Sequence, residues 1–258
     1  MLTRLRDRLA DLLERPIVGR VLRLLGVAVV TAGVSGLGVY GVCNYHRFAR
    51  VATVEVVGNH HASVVAVRHL ADVHEGDALL LIDLNTVIRQ VMRHPWVAEV
   101  EVERVYPGGL RVHVQEHEDV LLLSHAGHLY RVNPSGEVFL RARGDGLDRP
   151  VLTGLDDRLV EQYGPVARRI VLDALHILDL VGESGVIQPD DLSELHFDEA
   201  LGFTLLLRNG GLLRFGFRDP AQQLLRLGVM ARNGLDLSVP HHIDLDLDGL
   251  AVATPLSS

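Results

Sequence analysis

The feature that most constrains this chain is a run of 20 uncharged, mostly apolar residues from Leu24 to Cys43, LLGVAVVTAGVSGLGVYGVC. As a helix rising about 1.5 Å per residue, such a run crosses the roughly 30 Å hydrocarbon core of a bilayer. The apolar part of a cleaved signal peptide is shorter, about 7–15 residues, and Val42 stands where a lipoprotein signal carries a small residue before its cysteine. The sequence therefore predicts a tail over 1–23 and one transmembrane helix over 24–46. Six Arg against three acids precede the run, which orients the tail to the cytoplasm and sends residues beyond about Tyr45 across the membrane.

Charge divides the chain in the same way. From residue 51 onward there are 17 Arg against 30 acids, and no Lys occurs anywhere. An acidic body of this kind excludes nucleic acid, whose phosphates need a cationic surface. With 48% hydrophobic residues over its 258 positions, the chain has a sizeable core to build, in one large or two small domains. The single cysteine, Cys43, permits neither an intrachain disulfide nor a cysteine-based zinc site. Two patterns inside the apolar run need context. Gly36-Leu37-Gly38-Val39-Tyr40-Gly41 fits G-x-G-x-x-G, but a dinucleotide site requires a preceding strand and a soluble helix. Ala28, Ala32 and Gly36 form a small-residue row that would let another membrane helix approach.

Past the span, the hydrophobic period switches in a readable order. Thr53 to Val57 alternates as a strand and stops at Gly58-Asn59. Ser63 is placed to cap a helix carrying Val64, Val67, Leu70 and Ala71. A second helix is signalled by Leu84, Val87, Ile88, Val91 and Met92, ending before Pro95. Strands follow over Val97–Val105 and Leu110–Val114, joined by Tyr106-Pro107-Gly108-Gly109. Strand, helix, helix, strand, strand describes a small α+β unit with helices on one face of a sheet.

The segments VATVEVVGNHH, HPWVAEVEVERVYPGGLRVHVQE and GHLYRVNPSGEVF resemble the bacterial cell-division family FtsQ, called DivIB in Gram-positive bacteria. The resemblance implies a POTRA-like βααββ domain over 50–118. A C-terminal β-rich domain with two helices follows over 119–254, with a short tail over 255–258. The chain departs from the family at Glu116-His117-Glu118-Asp119, where Glu-Arg-x-Pro is usual, and at Asp246, where Ile-Asp-Leu-Arg is common.

The second domain reads as short strands over Val120–Ser124, Leu129–Val132 and Glu137–Leu140, then a helix from about Asp157 to Gly182. The apolar stripe of that helix is expected at Val166, Ile170, Leu172, Leu175, Ile177, Leu178 and Val181. Strands over Leu195–Phe197, Phe203–Leu207 and Leu212–Phe217 include an Asn209-Gly210-Gly211 hairpin turn. Asp219-Pro220 starts a helix through Met230, and a hairpin of Ile243–Leu247 and Leu250–Ala253 closes the pattern.

Catalytic signals are weak. His113-Val114-Gln115-Glu116-His117 matches H-x-x-E-H, but a zinc site needs both rings on one helical face. The alternation around Val112 and Val114 is that of a strand, which parts the rings by about 13 Å. The doublets His60-His61 and His241-His242 read as surface residues. No enzyme activity, cofactor, metal or small-molecule substrate is expected.

The remaining opportunity is an exposed strand edge, to which an extended partner adds by backbone pairing. The resemblance implies FtsB as that partner, bringing FtsL, at Leu245, Asp246, Leu247, Asp248, Gly249, Leu250, Ala251 and Val252. It also implies recruitment through the first domain near Gly58, Asn59, Pro95 and Trp96. The expected protein is a single-pass inner-membrane divisome scaffold at the septum, with its bulk in the periplasm. The alternative is a membrane-anchored POTRA protein that assists secreted polypeptides in transit.

Overall fold

The computed structural model describes residues 16–144, 146–156, 164–247 and 250–256. A helix of 34 residues, α1 (Pro16–Ala49), contains the apolar run and extends past the expected 24–46 at both ends. Its stretch Gly19–Val42 is the one described helix long and apolar enough to cross a membrane by length and composition. The residues 36–41 lie inside this helix, with no strand before them among the described residues, so they are not a strand-to-helix nucleotide-binding turn.

Contacts divide the chain into two units: residues up to His94 with Glu99–Val114, and Pro95–Ala98 with residues from Gln115 onward. After α1, the first unit contains β1 (Thr53–Val57), α2 (Val64–Ala71), a 3-10 turn (Leu79–Leu81) and α3 (Leu84–Val91). It is completed by β2 (Val97–Val105) and β3 (Gly109–Glu116), in a sheet ordered β1-β3-β2 with β1 parallel to β3. Each helix starts where a side chain accepts an otherwise unpaired amide: Ser63 from Ala66 and Asp83 from Asn85. On β3, Leu110, Val112 and Val114 are buried while Arg111 and His113 are not, the alternation of a sheet covered on one face. Arg104 on β2 donates to the carbonyls of Leu79 and Ile82 and fixes the 3-10 turn.

The second unit is built on one mixed sheet of nine strands, ordered β12-β11-β10-β9-β8-β7-β4-β5-β6. Three antiparallel strands, β4 (Leu121–His125), β5 (His128–Val132) and β6 (Val138–Arg141), form one end. The middle holds β7 (Val151–Thr153), β8 (Leu192–Asp198), β9 (Gly202–Leu207) and β10 (Leu212–Gly216). The other end is the hairpin of β11 (His241–Asp244) and β12 (Val252–Pro255). The helices α4 (Gly164–Ser184) and α5 (Pro220–Arg232) connect β7 to β8 and β10 to β11, both parallel pairs, and share one core with the sheet. Asp219 caps α5 by accepting from Ala221.

Three expectations change. Strand β7 has no counterpart in the sequence reading, because three residues after a proline are too short to show a period. In α4 the buried face is Ala167, Ile170, Val171, Ala174, Leu175, Ile177, Leu178 and Val181. Val166 and Leu172 are exposed, about 100° around the helix from Ala167 and Val171. The expected start of that helix near Asp157 lies outside the described residues. The closing hairpin also moves outward by about two residues at each end, from Ile243–Leu247 and Leu250–Ala253 to β11 and β12. Arg226 on α5 donates to the carbonyls of Leu245 and Leu247, so these groups serve the helix rather than a ladder.

Candidate docking edge

The sheet of the second unit has two terminal strands, and they are finished differently. At β6, the register shifts between Arg131 and Val132 of the neighbouring strand, a bulge of the kind that blunts an edge. Phe139 on β6 lies edge-on to Trp96 at 5.4 Å and stacks on His117 at 4.5 Å. The Arg131 guanidinium sits 5.2 Å from the Trp96 centroid and pairs with Asp119.

At β12 the register with β11 is regular: Pro255 opposite His241, Thr254 opposite His242, Ala253 opposite Ile243, Val252 opposite Asp244. The Leu256 amide donates to the Pro240 carbonyl at 3.1 Å. Polar groups alternate sides along an antiparallel strand. Val252 and Thr254 therefore turn their amides and carbonyls toward β11, and Ala251 and Ala253 turn theirs outward. Pro255 is also an outward position, where a residue without an N–H leaves no donor unpaired. The side chains of Ala251 and Ala253 pack on the core. Those of Val252, Thr254 and Leu256 lie on the opposite face and are exposed.

The residues expected at this edge take distinct places. Leu245 is fully buried, and its amide donates to Arg214. Asp246 accepts from Arg218 Nε at 3.0 Å and lies where Gly216, at φ +70°, has no Cβ; one there would come within 2.2 Å of the carboxylate. Leu247 is half-buried with its carbonyl on Arg226, and Leu250 is exposed. Asp248 and Gly249 lie outside the described residues. The strand itself adds Ala253, Thr254 and Pro255, beyond the segment the sequence singled out. Pro255 was the available signal, since proline in an alternating run marks an edge.

The expected recruitment residues do not form one cluster within a unit. Gly58, at φ +84°, passes so close to β3 that a Cβ would lie 2.2 Å from the Val114 carbonyl. Asn59 donates to the Ala62 carbonyl at 2.9 Å. Both belong to the first unit, whereas Pro95 and Trp96 group with the second.

On the open face of the small sheet, Glu55, Arg111, Glu103 and His113 form a ladder across all three strands. Bonds from His113 and then Arg111 hold the Glu103 carboxyl below its ordinary range. His113 thus sits on a strand, as the alternation predicted, and His117 lies in the other unit, where its Nδ1 meets Asn133 Nδ2 at 3.0 Å. Among the described residues no group of three or more His, Cys, Asp or Glu is placed to hold a metal ion.

Residues 49–117 match the POTRA domain of FtsQ type, and residues 121–246 match the C-terminal domain of the cell division protein FtsQ/DivIB. The chain is 30% identical over 236 residues to a cell division protein FtsQ of Geobacter sp. (strain M21), covering 90% of this chain and 86% of that one. It is 28% identical over 225 residues to that of Geotalea daltonii, covering 86% and 82%. It is also 35% identical over 180 residues to that of Anaeromyxobacter sp. (strain K), covering 69% and 60%. A solved structure of the major extracytoplasmic domain of the division protein DivIB from Geobacillus stearothermophilus matches 47% of this chain and 99% of that one, with 13% identity and a TM-score of 0.32. With both domains matched in order behind an N-terminal apolar helix, the chain belongs to the FtsQ/DivIB family of bacterial cell-division proteins.

Proposed function

We propose that this chain is a single-pass inner-membrane scaffold of the divisome, with its tail in the cytoplasm and its two domains, 50–118 and 119–254, in the periplasm. It acts without catalysis, by taking up an extended segment of FtsB, and with it FtsL, as an added strand beside β12. That docking links the two sides of the septal machinery and controls septal peptidoglycan synthesis. The observation that carries this reading is the regular β12 edge, with the outward backbone of Ala251 and Ala253 beside exposed Val252 and Leu256. Backbone pairing supplies affinity in such an arrangement, and alternate side chains supply selectivity. Recruitment through Gly58, Asn59, Pro95 and Trp96 is part of the same proposal, although Gly58 and Asn59 also have structural duties in their turn.

Proline substitutions on neighbouring residues test the edge. Ala253→Pro removes an outward donor and no bond to β11, so it is expected to weaken capture of an FtsB segment by full-length protein about tenfold per donor lost. Val252→Pro removes a donor that serves β11 and is expected to loosen the hairpin itself. Unchanged affinity in a folded Ala253→Pro protein rejects the edge. Depletion of the protein from growing cells separates the division reading from polypeptide transport: undivided filaments support the former, and normal division with secretion defects supports the latter.

A further inference from the structure

The 3-10 turn of the first unit is tied to the chain at the point where α1 ends. Arg50, directly after Ala49, pairs with Ala78 as an antiparallel bridge and donates from Nη1 to the Gly76 carbonyl at 2.7 Å. Val51 donates to Asp77 and accepts from Gly76, each at 2.8 Å, and α1 contacts the turn. Leu79 is fully buried with Val51 and Leu110, while Arg104 holds the carbonyls on either side of the next two residues. Those residues, Leu80 and Leu81, are 60% and 85% exposed. They are therefore held outward on a rigid turn rather than on a loose tip.

Single exposed leucines are ordinary; an adjacent pair fixed outward beside the end of an apolar helix is not. Antiparallel bridge partners lie about 5 Å apart, and three residues of 3-10 helix rise about 6 Å. Leu80 and Leu81 are thus within about 10 Å of the last turn of α1. The headgroup zone on each side of the hydrocarbon is about 5–8 Å deep.

We propose that Leu80 and Leu81 form an apolar foot that lies back along the last turns of α1, which runs about 10 Å from Val42 to Ala49, and rests in the interfacial zone of the bilayer. Glu75 and Asp77 of the same loop offset the adjacent Arg50, so the loop has no net positive charge to offer anionic headgroups and the contact is apolar. It is consequently insensitive to salt and to the fraction of anionic lipid. The inference rests on α1 spanning the membrane, and the test is arranged so that the two readings fail separately.

Full-length Cys43→Ala protein is reconstituted in nanodiscs of phosphatidylcholine, with and without phosphatidylglycerol. A spin label is placed in turn at Leu81→Cys, at Val65→Cys on α2, which is 78% exposed, and at Val34→Cys within α1. At position 81 the expected result is several-fold lower collision with a water-soluble nickel complex than at 65, with raised oxygen collision, unchanged by salt or phosphatidylglycerol. A solvent-like label at 81 beside a lipid-deep label at 34 overturns the foot alone. A solvent-like label at 34 overturns the spanning helix and the foot with it. Protection at 81 that disappears when each disc holds one copy assigns the leucines to a second copy of the chain and overturns the lipid contact.

Discussion

The two terminal strands of the nine-stranded sheet are finished differently, one beside a bulge and large rings and the other on a regular ladder. The β6 end is held by large rings: Phe139 against Trp96 and His117, with Arg131 over Trp96 and paired to Asp119. The β12 end is held by Ala251 and Ala253, which bury little area each, and by one regular ladder to β11. A bulge interrupts pairing beside β6, and none interrupts it beside β12. An edge anchored through small inward side chains keeps its outward amides and carbonyls in an extended, pairing-ready line.

The largest expected effect breaks the β6 end. Arg131 and Asp119 side chains are only 9% and 13% exposed, so Arg131→Ala leaves a carboxylate buried without its main partner. The expected destabilisation is about 4 kcal/mol, read as a lower urea midpoint for the transition that exposes β5 amides. A loss under about 1 kcal/mol means that the aromatic stack alone holds this end of the sheet. Capture of an FtsB segment by the folded fraction is expected to be unchanged, because β12 lies at the far end of the sheet.

A somewhat smaller effect breaks the other end. Leu245→Ala empties a fully buried site just past β11 and is expected to cost about 3 kcal/mol. Here amide protection in β11 and docking are expected to fall together. Docking that survives with β11 unprotected uncouples the β12 edge from its anchor in the core.

Much of this contrast was legible in the sequence, and the illegible part has a physical cause. Ser63 and Asp219-Pro220 announced their helices because a cap acts on amides two or three residues away. Asn209-Gly210-Gly211 announced its hairpin for the same local reason. The alternation around Val112 and Val114 placed His113 on a strand. What failed depended on distant partners. The hairpin is displaced by Arg226 reaching across from α5 to Leu245 and Leu247. Trp96 finds Phe139 across 43 positions of sequence, which no local pattern encodes. The face of α4 follows the sheet beneath it, so Ala167 and Ala174 are buried where the larger Val166 and Leu172 are not. At the candidate site, the hydrophobic pattern gave the hairpin but not which residues present their backbone outward, because that depends on the pairing register.

A smaller effect sharpens the account of the turn between β11 and β12. The Asp246 carboxylate is engaged by Arg218 on the same chain. Both groups are substantially solvated, so Asp246→Ala is expected to change stability by less than about 1 kcal/mol. A basic partner segment that reads Asp246 directly loses affinity in this variant, and one that reads only the backbone does not. Salt titration of capture by wild-type and variant proteins separates these outcomes.

The smallest expected effect concerns acid, and it acts on the loop that leads into β11. Asp236 accepts from the hydroxyl and then the amide of Ser238, which holds its carboxyl below the ordinary value of 3.8. Asp198 is lowered in the same direction by the amides of Ala200 and Leu201 in the turn from β8 to β9. A carboxyl lowered in the folded state stabilises the fold fully above its unfolded value, and that contribution disappears as pH falls through the folded value. Stability is therefore expected to be flat in these groups near neutrality and to decline only below about pH 4. Asp236→Asn is expected to flatten that decline and, at neutral pH, to speed exchange of the Ser238 amide while leaving the β5 and β6 amides unchanged. Equal acceleration at both ends of the sheet means that the loop before β11 and the β6 end open as one unit, and the independence of the two edges is lost.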